Sequence, residues 1–311
     1  MQIYNINFTN RLFLAPLSGY TNYPMRVLCR RYGAELAYTE MLSATGIIRN
    51  DRNTRLLLER PATDRPLIAQ IFGADPDEMA QASRILESRG FDGIDINMGC
   101  PVRKVVLKGA GAALMKTPET AVRIVSEICK AVKIPLSVKM RSGWDSDFLN
   151  ANELAPKLVD AGASAVIIHP RTRSDMYGNT PSWQMLEKLK AVLDVPVIAS
   201  GDIKLGEDIM RLESIGADAF MIGRAAIGRP WIFSELSGNL PPGQDEKCSV
   251  IIEHLEMLCS YLGQKKATRY MRKFISQYVK GMDGAAAFRQ KVCMVDDNAE
   301  FTRLVKEFFR S

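Results

Sequence analysis

The 311-residue sequence predicts an α/β protein: a (β/α)8 TIM barrel followed by a small C-terminal all-helical domain. Eight short, near-continuous apolar runs alternate with amphipathic stretches, the pattern of parallel strands covered by helices. Polar residues collect at the C-terminal ends of these runs: Gln70, Asn97, Lys139 with Arg141, His169 with Arg171, Ser200 with Asp202, and Arg224. Barrels build their sites on that rim, whereas an open doubly wound sheet concentrates polar groups at one switch point. Here they come from six runs, which favours closure.

The strands are expected at 11–16 (RLFLAP), 35–40 (ELAYTE), 66–72 (PLIAQIF), 93–99 (GIDINMG), 136–141 (LSVKMR), 165–170 (AVIIHP), 196–200 (PVIAS) and 219–223 (AFMIG). Between them, stretches such as 77–90 and 118–132 carry Ala, Leu and Ile at three- and four-residue spacing. Asp75-Pro76 and Thr117-Pro118 mark helix starts, with proline in the first turn. The LPPGQDEK segment (240–247) reads as a linker, and 248–311 as three or four helices that lean on the barrel. The boundary is placed at 242/243, giving a catalytic barrel over 1–242 and a helical domain over 243–311.

Composition narrows the function. With 47% hydrophobic and 24% charged residues the chain is an ordinary globular protein. No run approaches the roughly 18 apolar residues of a membrane span, and the N-terminus lacks a signal-peptide pattern, so a cytoplasmic location is expected. The six cysteines form no CxxC pair, and the two histidines, His169 and His254, are too few for a multi-histidine site. No metal, no disulfide framework and no obligate protein partner is expected.

Several rim residues point to chemistry. VIASGD (197–202) and MIGRAAIGRPW (221–231) are adjacent strand ends running into glycine and a helix start. Such loops bind phosphate through backbone N–H groups, with Arg224 as a charged fork; the alternative is glycines that serve only the turns. GAGAAL (109–114) follows no strand and reads as a loop, not a dinucleotide fingerprint. Lys139 and Arg141 share one side of their strand, and a lysine in so apolar a run calls for an anionic partner. His169 is either structural or functional. Cys100, before Pro101 and the Arg103/Lys104 pair, is either a nucleophile in need of a base or a protonated acid, since a free thiol titrates near pH ~8.5.

The tail carries one more signal. In KKATRYMRKFISQYVK (265–280), Met271, Phe274, Ile275, Tyr278 and Val279 fall on one helical face and Lys265, Lys266, Arg269, Arg272, Lys273 and Lys280 on the other. With Arg289 and Lys291 that makes eight basic residues from 265 to 291 against one acid, Asp283, a balance typical of phosphate-backbone binding.

These pieces together resemble the tRNA-dihydrouridine synthase family. The matching stretches are APLSGYTNYPMR (15–26), TEM (39–41), AQIFG (69–73), DINMGCPVRKV (95–105), VKMRSGW (138–144), IHPRTR (168–173), SGDI (200–203) and IGRAAIGRPWIF (222–233). The wording of MGCPVRKV and IGRAAIGRPWIF is closest to the bacterial B-type subgroup, and the tail with YMRKF (270–274) is similar to the family's RNA-binding domain. The resemblance implies FMN on the rim and NADPH or NADH as reductant. Pro16, Leu17 and Ser18 would line the flavin ring, with Gln70 at its polar edge and Lys139 facing its N1/O2 side. Ser200, Gly201, Asp202, Gly223 and Arg224 would hold its phosphate, with His169 also among the cofactor contacts. It further implies a hydride to C6 of a uridine in tRNA, with Cys100 protonating C5 to give 5,6-dihydrouridine. Asn97, Arg141 and His169 would position the pyrimidine, while Arg272 and Lys273 would contact the RNA. SGD stands where many members have NGD, and HPRTR where HGRTR is common; neither change touches Cys100 or Lys139. Two rivals share some of these features. A dihydroorotate dehydrogenase-like enzyme has no use for the basic tail, and a non-catalytic RNA-binding protein has none for the flavin constellation.

Overall fold

The computed structural model describes residues 2–176 and 178–310. Eight parallel strands close on one another: β1 (Leu12–Leu14), β2 (Leu36–Tyr38), β3 (Leu67–Phe72), β4 (Gly93–Met98), β5 (Leu136–Gly143), β6 (Ala165–Thr172), β7 (Val197–Ser200) and β8 (Ala219–Ile222). Each pairs with the next in sequence, and Ile222 beside Leu14 closes the ring between β8 and β1. All eight expected strands are present.

Closure sets which side chains meet. Because side chains alternate along a strand, every second residue faces the barrel interior. The inward set begins as an apolar cluster that includes Phe13, Leu36, Tyr38, Ile68, Ala165, Ile167, Ile198, Ala219 and Met221. The alternate residues, such as Ile94, Ile96, Val138, Met140, Val166 and Ile168, belong to a second cluster beneath the helices. Further along the same strands the inward positions turn polar: Gln70, Asp95, Asn97, Ser137, Lys139, Arg141, His169 and Ser200. The barrel is therefore an apolar plug below and a polar floor above.

The N-terminal end of the barrel is closed by a feature that the sequence reading did not anticipate. Gln2–Ile3 and Ile6–Asn7 form an antiparallel hairpin whose turn residues, Tyr4 and Asn5, both have positive φ (56° and 60°). Two positive φ values suit a two-residue hairpin turn. The hairpin delivers Ile3, Tyr4 and Phe8 into the interior cluster, where the hydroxyls of Tyr4 and Tyr38 lie 2.6 Å apart. Its signal was weak because neither NI nor YN is a preferred turn pair.

Helix starts follow the expected chemistry in part. Asp75 caps Pro76–Ser88 by accepting from the Glu78 N–H at 2.8 Å. Thr117 precedes Pro118–Ala131 without a side-chain cap bond. GAGAAL is not a plain loop: Gly111–Lys116 is a 3₁₀ turn. The expected linker is shorter than read, since a helix already begins at Gln244 behind Gly243.

Four helices make up the tail: Gln244–Leu262, Gln264–Tyr278, Ala285–Val292 and Asn298–Arg310. The first two turn on Gly263, at φ 81°. Their apolar faces join the same cluster that packs beneath the barrel helices, so the core runs from barrel to tail without a break. Aromatic contacts line the joint: Tyr23 against Tyr261 (centroids 4.9 Å), Tyr20 against Phe274 (5.6 Å) and Trp231 against Tyr278 (5.9 Å). Tyr261 donates to the Leu56 carbonyl at 2.9 Å and Tyr32 to Glu246 at 2.7 Å. The aromatic pairs contribute roughly 0.5–1.5 kcal/mol each beyond area burial, whereas an exposed ion pair such as Arg31–Glu253 contributes about 0–1 kcal/mol. Among the described residues, no helix is long and apolar enough to cross a membrane.

One glycine permits this docking. Gly228 has φ +69°, and a Cβ there would lie 2.5 Å from the Tyr278 amide nitrogen. Gly228→Ala should lower the unfolding free energy by about 1–3 kcal/mol, read from a lower denaturant midpoint. An unchanged midpoint would show that the tail is not seated on this turn.

Candidate active site

The polar floor opens into a cavity of about 570 Å³ at the C-terminal ends of the strands. Three walls define it. Pro16, Leu17, Ser18 and Tyr20 follow β1; Asn97 near the end of β4 is succeeded by Gly99, Cys100 and Val102; Ser200 ends β7, Gly201 and Asp202 follow it, and Gly223 and Arg224 follow β8. Gln70, Lys139, Arg141 and His169 form the floor between them. All the expected barrel residues thus converge on one cavity. Arg272 and Lys273 are not part of its lining.

Asn97 and Gln70 form an oriented chain. The N–H groups of Gly99 (3.1 Å) and Cys100 (2.8 Å) can only donate, so Asn97 Oδ1 must accept. Asn97 Nδ2 then donates to Gln70 Oε1 at 2.8 Å, and Gln70 Nε2 to Asp95 at 2.7 Å. Asp95, fully buried, takes a further bond from the Ser137 hydroxyl at 2.6 Å. Burial pushes Asp95 up from the ordinary carboxylate range, against those two donors and the charge of Lys139. Burial likewise pulls Lys139 down, with Asp95 opposing and Arg141 adding to the fall. The floor thus holds a costly cation, stabilised through space by one buried carboxylate. The reading of the sequence missed Asp95, although its two-residue spacing from Asn97 puts both on the inward side.

The backbone of Cys100 is held on both sides. Besides the Asn97 cap on its N–H, its carbonyl accepts from Ala112 at 3.0 Å. Gly111, at φ +63°, lies so close that a Cβ would stand 2.8 Å from that carbonyl. The 3₁₀ turn 111–116 is therefore a brace for the cysteine, a role its composition did not announce. Burial raises the Cys100 thiol, outweighing the Val102 backbone bond and the Arg141 charge that lower it. Arg141 is itself placed by the carbonyls of Gly99 (2.8 Å) and Thr172 (2.6 Å). The thiol is therefore held in its protonated form at neutral pH.

His169 is fixed by Arg171, whose Nη1 lies 3.1 Å from His169 Nε2. A guanidinium has no acceptor, so Nε2 accepts and the imidazole carries its proton on Nδ1. Burial, followed by the charges of Lys139, Arg141, Arg171 and Arg224, holds this histidine neutral well below its ordinary range. Arg171 also ion-pairs with Asp202, which pairs in turn with Arg224.

The β7 and β8 loops offer an anion cradle, with one correction. The first helix after Asp202 begins only at Gly206, and Gly223 is followed by the three-residue 3₁₀ turn Arg224–Ala226. Pro230 stops a longer helix from starting there. Helix N-termini do not reach the cradle; backbone, Ser200 and the half-exposed Arg224 remain. Gly201, at φ +127°, is packed so closely that a Cβ would sit 2.7 Å from His169 Cδ2.

In the tail, Lys265, Lys266, Arg269 and Lys280 are exposed. Arg272 is half-buried, donating to the Val295 carbonyl (3.1 Å) and to Asp296 (2.6 Å), which Arg269 also binds. An acid from a neighbouring loop thus offsets part of the basic face. Lys273 leaves that face: its ammonium donates to the Gly19 carbonyl and lies 3.2 Å from the Tyr270 ring centroid. Its three-residue spacing from Tyr270 puts it on the packed border of the helix. Among the described residues, no group of three or more His, Cys, Asp or Glu is placed to hold a metal.

Two measurements check this geometry. Nitrogen-15 spectra of the imidazoles should show His169 as the Nδ1–H tautomer with no protonation between pH 8 and 5; protonation near pH ~6.5 would contradict its placement. The alkylation rate of Cys100 should rise with pH toward a midpoint above that of an exposed cysteine, because burial raises the folded thiol. A midpoint below that of an exposed cysteine would contradict its placement.

Comparisons with known proteins bear on the family of the chain. A family profile described as dihydrouridine synthase matches residues 13–311. The chain is 37% identical over 317 residues to "tRNA-dihydrouridine synthase B" of Pasteurella multocida, covering 99% of this chain and 96% of that one. It is 37% identical over 308 residues to the protein of the same name from Pseudomonas aeruginosa, covering 96% and 93%. Among solved structures, morphinone reductase in complex with tetrahydroNAD superposes with a TM-score of 0.56 at 13% identity, over 78% of this chain and 90% of that one, a likeness of fold alone. Rim, cavity and matched length lead to one conclusion: the chain belongs to the dihydrouridine synthase family.

Proposed function

We propose that this chain is an FMN-dependent tRNA-dihydrouridine synthase of the cytoplasm, reducing the C5=C6 bond of uridines in tRNA with NADPH or NADH as electron source. Residues 1–242 hold the cofactor and 243–311 hold the RNA. The observation that carries the reading is the cavity itself. One end has an anion cradle, the floor has a buried lysine short of counter-charge, and the mouth has a protonated cysteine.

The residues fit FMN. The Gly201 and Gly223 loops line the cavity beside Ser200 and Arg224, where a phosphate can be bound. Asp202 keeps Arg224 in place until an anion shares it. Pro16, Leu17 and Ser18 would line one side of the ring, and Lys139 would supply it with positive charge. When bound, FMN supplies the reducing equivalents, delivered to C6 of the pyrimidine.

The protein supplies position and a proton. Arg141 and neutral His169 line the cavity, where they would donate hydrogen bonds to the carbonyl groups of a uracil ring, and His169, being neutral, does not compete as an acid. Asn97 spends its carbonyl on the Cys100 turn, so its first role is to aim the thiol. Cys100 gives its Sγ proton to C5 and is re-protonated from solvent. The base must leave the tRNA stack to reach the cavity, at a cost of a few kcal/mol. Exposed Lys265, Lys266 and Lys280, with Arg272, form the surface that offsets it.

The protein should bind FMN and show an oxidised-flavin spectrum. Cys100→Ala should keep FMN and its reduction by NADPH, while tRNA uridine reduction falls by about 100-fold or more. Wild-type turnover in that variant would remove the acid role from Cys100, and failure to bind FMN would overturn the reading.

A further inference from the structure

The turn Leu17–Thr21 walls one side of the cavity and is built mostly from itself: the Tyr20 and Thr21 N–H groups both reach back to the Leu17 carbonyl (2.9 and 3.0 Å). At Gly19 the backbone is gripped from two directions. On the barrel side, the Gly19 N–H donates to the carboxylate of Glu40, which is buried just beyond β2. On the tail side, the Gly19 carbonyl accepts from the Tyr270 hydroxyl at 2.7 Å and from the Lys273 ammonium. That ammonium lies between rings, 3.2 Å from the Tyr270 centroid, 4.9 Å from Tyr20 and 5.5 Å from Phe274. Tyr20 is the residue these contacts share with the cavity lining. Arg26 secures the far end of the turn, donating to the Thr21 carbonyl at 2.7 Å while bonded to buried Asp64.

We propose that Lys273, with Glu40 and Tyr270, is a positioning residue that lets the helical tail hold the Pro16–Tyr20 wall of the cavity in shape. The three groups form one unit. Glu40 is a buried carboxylate that needs positive charge nearby, and Lys273 supplies it. Lys273 is a half-buried cation that needs acceptors and π-faces, and the Gly19 carbonyl and three rings supply those. The position of Tyr20, and of Ser18 and Leu17 before it, therefore depends on a helix more than 250 residues later in the chain. The tail is part of the cavity wall as well as a surface for RNA. This inference takes from the preceding reading only the identity of the ligand.

The test uses the full-length protein and Lys273→Met, which keeps the chain length and loses the charge. Amide exchange at Gly19, Tyr20 and Thr21 should speed up by about tenfold, although none of those N–H groups bonds to Lys273. The Kd for FMN should rise by a similar factor. The slope of tRNA affinity against salt should stay as in the wild type, because no phosphate contact is lost. Tyr270→Phe, which removes one hydroxyl, should speed up the same amides to a smaller extent, and decides the matter should Lys273→Met fold poorly. Unchanged exchange at these amides overturns the proposal, and a salt slope smaller by about one unit would make Lys273 an RNA contact instead. Faster exchange with unaltered FMN affinity overturns the cavity half of it. Should the wild type bind no FMN, the flavin reading fails and the exchange rates still decide this one.

Discussion

Asp95 is the residue on which the site depends. It sits where the apolar plug of the barrel gives way to the polar floor, fully buried, with Ser137 and Gln70 donating to its two oxygens. Through Gln70 and Asn97 it terminates the chain of hydrogen bonds that aims Cys100, and its charge offsets part of the cost of burying Lys139. Removing one partner of such a network costs far more than a surface ion pair is worth, because a charge or amide is left buried and unpaired. One carboxylate thus ties Cys100 on one wall to the cation on the floor.

The barrel makes this economical. Alternation along closed strands forces one residue in two inward, so four successive strands place Gln70, Asp95/Asn97, Lys139/Arg141 and His169 side by side with no loop to order. The loops then do only what strands cannot. Positive-φ Gly201 lets the chain pass His169, and Gly111 lets a 3₁₀ turn brace Cys100. Positioning on rigid elements suits the proposed reaction, in which the chain would contribute donors, charge and one proton.

Most of this was legible in the sequence, because it follows from a two-residue period. The eight strands and the inward polar rim are local patterns, and they emerge where expected. What escaped notice needed distant contacts. Asp95 carried the same periodic signal as Asn97, but its importance lies in Ser137, Gln70 and Lys139 on neighbouring strands. The N-terminal hairpin has no strong turn pair, and only its burial against Tyr38 shows its purpose. Lys273 sits on the basic side of a helical wheel, yet its spacing from Tyr270 and the waiting Gly19 carbonyl draw it into the joint. The 3₁₀ turn behind Cys100 looked like loop because glycine and alanine say nothing about what they stand against.

The buried cation on the floor connects fold to chemistry most closely, since a lysine held there is stabilised further by any ligand that gains negative charge as it is reduced. The direct test is the midpoint potential of protein-bound FMN in the wild type and in Lys139→Met, with both proteins confirmed to hold the flavin. Loss of the cation should lower the two-electron potential by about 30–60 mV, the equivalent of roughly 1.4–2.8 kcal/mol. An unchanged potential would mean that Lys139 does not face the reducible ring, and the assignment of the cavity floor would be wrong.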